Sequence, residues 1–297
     1  MRTVLPPSWN FLQLEDQYSN YETARIVILP MPYEATVSYG TGTSEGPDAI
    51  LAASHYVEFF DDEYEREICF DLGIATLPPL DFSGRVGKPA VDMVYNVVRD
   101  LLADGKFVVG LGGEHTIAEG MARAHLGHHS GMSVLQLDAH SDLREEYEGD
   151  TYSHACVMAR IMDFLQGERI VQLGVRAQCK EEFHRIRRNG VKTFYARDIR
   201  RGHHGSSWQD EVLRCLNESV YITFDVDYFD PSVMPSTGTP EPGGFFWDET
   251  LDLIEKIGKE KTIVGFDVVE LAPRKDFPAP DYLAAKLTYK IITAAFT

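Results

Sequence analysis

Four short apolar runs in this chain each stop at an acid or an imidazole, and that recurrence limits the fold more than any other property of the sequence. Phe107 to Leu111 leads into Gly112-Gly113-Glu114-His115, and Met132 to Leu137 leads into Asp138-Ala-His140-Ser-Asp142. Val220 to Phe224 ends in Asp225-Val-Asp227, and Thr262 to Val269 ends in Glu270. Runs of this length and character read as buried strands. A run that alternates and then saturates with apolar residues, followed by ligand-type side chains, matches an open α/β sheet, where sites lie beyond the carboxyl ends of the strands. In extended chain alternate residues share a face, so Asp138, His140 and Asp142 are expected to emerge together. Taken singly, each terminus is as well explained by a solvated turn, since Asp and Ser are common turn formers. The coincidence of all four is what points to one site at one edge of one sheet.

Further strands are expected at Ile26 to Leu29, Ile170 to Leu173 and Val191 to Phe194. Helices are expected from Pro47 onward, over Pro89 to Leu102 with apolar residues at Val91, Val94, Val98 and Leu101, over Ala155 to Leu165, and over Gln209 to Asn217. No repeat or low-complexity linker divides the 297 residues. The expected architecture is α/β: a single domain over 1–297, built as a three-layer α/β/α sandwich with a mainly parallel central sheet. Residues 1–22 are aromatic-rich and irregular and are expected to pack over the surface or onto a neighbouring subunit. Gly40 to Pro47 is a long glycine-containing loop that either lies on the surface or lines a pocket.

A formal charge of −18 excludes nucleic acid as an expected partner, because phosphate binding needs clustered Lys and Arg. It is compatible with a cationic substrate. No apolar run reaches the ~20 residues that span a bilayer, and the first ten residues lack the pattern of a signal peptide, so the expected location is the cytoplasm with no membrane partner. The four cysteines, without a CxxC pair, are expected to be reduced and mostly packed. The pairs His128-His129 and His203-His204 read as solvated loops.

Four converging aspartates cannot all stay ionised without compensating cations. Carboxylate-rich ligation with two imidazoles and no thiolate favours a hard or borderline ion such as Mn²⁺. Six candidate ligands, His115, Asp138, His140, Asp142, Asp225 and Asp227, exceed the needs of one open catalytic ion and point to a pair. The reaction class that follows is hydrolysis by a metal-activated hydroxide. A phosphate cradle is the weaker reading of Gly-Leu-Gly-Gly-Glu-His, which matches neither dinucleotide nor P-loop spacing.

Gly112-Gly-Glu-His115-Thr, Asp138-Ala-His-Ser-Asp142, and Thr223-Phe-Asp-Val-Asp-Tyr-Phe-Asp-Pro231 with Thr237-Gly-Thr-Pro-Glu-Pro-Gly-Gly244 resemble, in order and spacing, the three signatures of the ureohydrolase (arginase/agmatinase) family. The resemblance implies two Mn²⁺ per subunit, one held by His115, Asp138, Asp142 and Asp225, the other by His140, Asp138, Asp225 and Asp227, with Asp138 and Asp225 bridging. It also implies that His154 shuttles protons and that Glu270 receives a guanidinium group, and it places Asp142 beside them as a catalytic candidate. Ala155 stands where the family usually has glycine. A homo-oligomer, trimeric or hexameric, is implied as well.

Agmatine is the expected substrate, cleaved to urea and putrescine, because the segments Asp142 to His154 and Thr239 to Gly244 look more like agmatinases than arginases. Arginine, guanidinobutyrate, formiminoglutamate and guanidine are the alternatives inside the class. The acidic loop with Glu145, Glu146, Glu148 and Asp150 is expected either to face a distal ammonium or to be simply solvated. A binding protein that keeps the fold but not the activity, or a two-metal phosphoesterase, are the alternatives outside it. Arg144 is the one cationic residue at the ends of the ligand-bearing strands.

Overall fold

Eight strands form one sheet: β1 (Ile26–Met31), β2 (Ile74–Thr76), β3 (Phe107–Gly112), β4 (Ser133–Leu137), β5 (Ile170–Leu173), β6 (Lys192–Phe194), β7 (Ser219–Asp225) and β8 (Thr262–Val269). Their order in this computed structural model, which describes residues 2–205 and 207–297, is β2-β1-β3-β8-β7-β4-β5-β6. Every neighbouring pair is parallel. Successive side chains leave opposite faces of a strand, so each run of apolar residues feeds two cores. Ile26, Ile28, Leu135 and Leu137 enter one, and Val27, Leu29, Met31 and Val134 enter the other. Helices Gly46–Ser54, Trp208–Cys215, Trp247–Glu260 and Ala279–Ala294 cover the first face. Lys88–Ala103, Ala118–His128, Val157–Ile161 and Lys180–Asn189 cover the second. The result is the expected three layers around a parallel sheet.

The sheet order explains the functional geography. The strands that end in polar residues are four consecutive members, β3, β8, β7 and β4. Register then levels their ends: Leu137 pairs with Phe224, Phe224 with Val268, and Leu111 with Val268. Asp138, Asp225, Glu270 and the Gly113 to His115 turn therefore leave the sheet side by side.

Within the N-terminal segment, residues 10–14 turn into the fold and do not lie over its surface. Asn10 accepts the Leu14 N–H at 2.8 Å and donates to the Leu14 carbonyl at 2.9 Å, closing a loop that drives Phe11 and Leu12 inward. Their backbone N–H groups are then taken by Thr76 Oγ1 (2.9 Å) and Ser54 Oγ (2.8 Å). Phe11 is fully buried in the first core. Phe11→Ala is accordingly expected to lower stability by roughly 3–5 kcal/mol; a denaturant melt with an unshifted midpoint would return the segment to the surface. The helix expected over Ala155 to Leu165 is shorter, a 3₁₀ turn His154–Cys156 followed by Val157–Ile161. Strand β2 and the helices at Lys180–Asn189, Trp247–Glu260 and Ala279–Ala294 add to the expected elements. Among the described residues no helix is long and apolar enough to cross a membrane.

Candidate active site

The turn after β3 is built by a backbone that only glycine permits. A Cβ on Gly113 would lie 2.1 Å from the Tyr33 carbonyl oxygen. That close approach lets Gly113 N–H reach the Met31 carbonyl (2.9 Å) and Glu114 N–H reach the Tyr33 carbonyl (2.8 Å), clamping the turn to the end of β1. Glu270 N–H in turn donates to the Gly113 carbonyl at 2.8 Å. Two other site residues are held in left-handed backbone: Asp142 at φ 51° and Glu270 at φ 66°. Non-glycine residues pay about 1–3 kcal/mol for such conformations and keep them mainly at functional sites.

Asp142 corrects one expectation. Beyond Leu137 the chain leaves the extended state, so Asp138, His140 and Asp142 do not converge by simple alternation. Instead Asp138 Oδ1 accepts the His140 N–H (2.6 Å), and the left-handed turn at Asp142 folds its carboxylate back toward β3. The Asp142 carbonyl, facing away, accepts the N–H groups of Met158 and Ala159.

Five of the six candidate ligands then meet in two groups that share Asp138. His115, Asp138 and Asp142 form one, and Asp138, His140 and Asp227 the other, each with ligand atoms close enough to surround one ion. His115 Nδ1 lies 3.1 Å from Asp138 Oδ2, 3.0 Å from Asp142 Oδ2 and 3.5 Å from Asp225 Oδ2. His140 Nδ1 lies 2.8 Å from Asp227 Oδ2 and 3.6 Å from Asp138 Oδ1. Each Asp138 oxygen thus faces a different imidazole. Asp225 stands at the edge of the first group, with Oδ1 accepting the Asp227 N–H at 2.8 Å.

A test of fit comes from His115. Its Nε2 is 2.8 Å from Thr223 Oγ1, whose own proton goes to Asp267 Oδ1 at 2.7 Å. Thr223 must therefore accept from Nε2–H, leaving Nδ1 as a bare lone pair. That buried Nδ1 makes no hydrogen bond, although three carboxylates surround it. Lone pairs gathered around an empty centre are repulsive unless a cation sits among them, and outer-sphere orientation of an imidazole through its far N–H is usual at metal sites. Burial, then the neighbouring acids, drive the Asp142 and Asp225 carboxyls up from the usual range, which states the same demand for positive charge. The residues fit a pair of ions.

Glu270 is half-buried at the cleft, and desolvation pushes its carboxyl up to about 8. Its Oε1 already accepts the His115 N–H at 2.6 Å. What it offers a ligand is Oε2 and the second lone pair of Oε1. His154 lies in the cleft wall, with Nδ1 2.9 Å from Thr36 Oγ1 and Nε2 2.9 Å from Ser38 Oγ. Burial, and the His115 and His140 imidazoles, depress its pKa to about 4. His154 is a neutral base near pH 7.

These groups line one cleft of about 290 Å³ at the carboxyl edge of the sheet. The Gly40 loop contributes to its wall, with Gly40 N–H on the Gly238 carbonyl at 3.0 Å. The acidic loop does not. Glu145 is turned outward and paired with Arg160 (2.8 Å) and Arg185, Glu146 and Glu148 are exposed, and neither they nor Asp150 line the cleft. From that loop, Arg144 and Tyr147 line it instead. Arg144 stacks on Tyr147 at 5.0 Å and faces Glu182 at 3.8 Å. Glu241, quoted within the Thr239 to Gly244 segment but given no role of its own by the sequence, also lines the cleft, and its carboxylate has no ion pair or hydrogen bond among the described residues. His128 and His203 are exposed and His204 pairs with Glu211, so none joins the site, as expected.

The arginase family model matches residues 24–294 of the chain. An N(1)-aminopropylagmatine ureohydrolase of Synechocystis sp. is 38% identical over 288 residues, covering 95% of this chain and 92% of the relative. An agmatinase of Bacillus anthracis is 35% identical, covering 87% of each. The crystal structure of the agmatine ureohydrolase of Thermoplasma volcanium superposes with a TM-score of 0.83 at 34% identity, covering 94% of this chain and 92% of that one.

Proposed function

Since the chain belongs to the arginase family, whose model spans residues 24–294, we propose that it hydrolyses a guanidino amine of the agmatine type, agmatine or its N(1)-aminopropyl derivative, to urea and the corresponding amine. One observation carries the choice of tail: Arg144, the single Lys or Arg lining the cleft, is already committed to Glu182 and Tyr147, whereas the Glu241 carboxylate makes no direct ion pair or hydrogen bond among the described residues, Arg176 reaching only its backbone carbonyl. The mouth therefore suits an ammonium better than a carboxylate. The acidic loop once expected to play this part is engaged with Arg160 and Arg185.

His115, Asp138, Asp142 and Asp225 would hold one Mn²⁺, and His140, Asp138, Asp225 and Asp227 the second, with Asp138 and Asp225 shared. When bound, such a pair supplies an activated water and neutralises the converging carboxylates. Glu270 orients the substrate, because a planar guanidinium is permanently charged and takes a carboxylate in its plane. That contact also pulls the raised Glu270 carboxyl back to its ionised form. In the overall step water oxygen bonds to the guanidinium carbon and becomes the urea oxygen, the bond from that carbon to the tail nitrogen breaks, and the two protons lost by the water end on that nitrogen, so the amine leaves as its ammonium form. His154, neutral and at the cleft wall, is placed to move one of those protons. Cytoplasmic location and a homotrimeric or homohexameric assembly complete the reading.

The test is a substrate panel with Mn²⁺: agmatine, N(1)-aminopropylagmatine, arginine, guanidinobutyrate, formiminoglutamate and guanidine. The two amine-tailed substrates should exceed arginine by about a hundredfold in kcat/KM, or roughly 2.8 kcal/mol. Glu241→Gln should narrow that margin. Preference for arginine or for an acid-tailed substrate would overturn the assignment of tail.

A further inference from the structure

We propose that Glu114 and Thr36 form a fixed hydrogen-bond relay that sets the tautomer of His154, holding the ring proton on Nδ1 and leaving Nε2, which meets Ser38 Oγ at the cleft wall, as the basic nitrogen. The inference rests on His154 acting in the hydrolysis proposed above, and it adds positioning residues that act through His154.

The available protons fix the tautomer. A threonine hydroxyl has one proton and two lone pairs. Thr36 Oγ1 donates to Glu114 Oε1 at 2.9 Å, which uses the proton. It accepts the backbone N–H of His154 at 3.1 Å, which uses one lone pair. The remaining contact, 2.9 Å to His154 Nδ1, has only a lone pair to offer, so Nδ1 must carry hydrogen. Nε2 is then unprotonated and accepts from Ser38 Oγ at 2.9 Å. The ring nitrogen that bears the proton is set by what the other nitrogen meets.

Glu114 anchors the relay because its own position is overdetermined. Oε2 accepts the N–H groups of Ala35 and Thr36, each at 2.6 Å, and Oε1 accepts Thr116 Oγ1 at 2.6 Å. The residue is 1% exposed, so water cannot substitute for these donors. The contacts join segments 78 and 118 residues apart, the Thr36 strand exit, the turn after β3 and the loop bearing His154. The same carboxylate that ties the Ala35–Thr36 backbone thereby fixes which face of His154 is basic.

Two measurements on Thr36→Val, which keeps the shape and removes the hydroxyl, decide the matter. In the ¹⁵N-histidine-labelled chain loaded with diamagnetic Zn²⁺, long-range ¹H–¹⁵N correlations, assigned with His154→Asn, should show His154 as Nδ1–H. Thr36→Val should shift it to Nε2–H, and Thr36→Ser should restore Nδ1–H. With Mn²⁺ and agmatine, Thr36→Val should lose about tenfold or more of kcat, part of the roughly 10²–10⁴-fold that acid–base catalysis supplies. KM and metal content should hold, and in a His154→Ala background the same change should cost nothing further. Wild-type Nε2–H, an undiminished kcat in Thr36→Val, or an equal loss in both backgrounds would overturn the relay. A chain that shows the assigned tautomers but releases urea from no guanidino substrate supports the relay and overturns the proposed function instead.

Discussion

Asp138→Asn is expected to cost at least about three orders of magnitude in urea release, because loss of the cation pair removes several kcal/mol of charge stabilisation, and to empty both ion positions together. Asp138 is completely buried, its two oxygens face the two imidazoles, and it belongs to both ligand groups. Asparagine keeps the volume but removes the charge that the two positions share. His140→Asn and Asp227→Asn, which touch only the second group, should each lose a single ion. His128→Ala, on the exposed end of helix Ala118–His128, should change nothing. Metal analysis beside a urea assay reads all four variants, and an Asp138→Asn protein that keeps two ions and full turnover would remove Asp138 from the centre.

His154→Ala is expected to lower kcat by roughly 10²–10⁴-fold while leaving metal content intact. The pH dependence separates this residue from its neighbours. A histidine depressed to about 4 is already neutral throughout the working range, since it gains its proton only as pH falls through that value. Activity should rise toward alkaline pH as the activated water forms. The midpoint of that rise belongs to the water and not to His154, so it should stay in place in His154→Ala while the plateau drops. A midpoint that moves with the mutation would show that His154 titrates within the working range. An unaltered plateau would make it a wall residue only.

Much of this site was legible in the sequence because its information is local. Apolar runs that stop at Asp138, Asp225 and Glu270 announce both the strand and a polar group at its end, and the parallel order β3-β8-β7-β4 turns four local signals into one cluster. What sequence could not express depends on distant partners. Glu145 looks like part of a substrate-facing acidic loop until Arg160 and Arg185 are seen to take its carboxylate. Thr36 and Ser38 have no signal beyond their i, i+2 spacing until His154 arrives between them. Phe11 and Leu12 look like residues of a loose terminus, but the Asn10 turn and two hydroxyls from Ser54 and Thr76 carry them into the core. Asp142 shows the intermediate case: its carboxylate does reach His115, but left-handed backbone, and not strand alternation, brings it there.

In the proposed reaction the six residues on neighbouring strand ends hold two cations that this chain needs for guanidine hydrolysis. The most direct test is titration of chelator-stripped protein with Mn²⁺, following bound metal and urea release from agmatine in the same samples. The account predicts no turnover without metal, saturation at about two ions per chain, the stoichiometry of a bridged two-metal centre, and full activity only as the second ion binds. Full turnover by the stripped protein, or saturation and full activity at a single ion per chain, would contradict it.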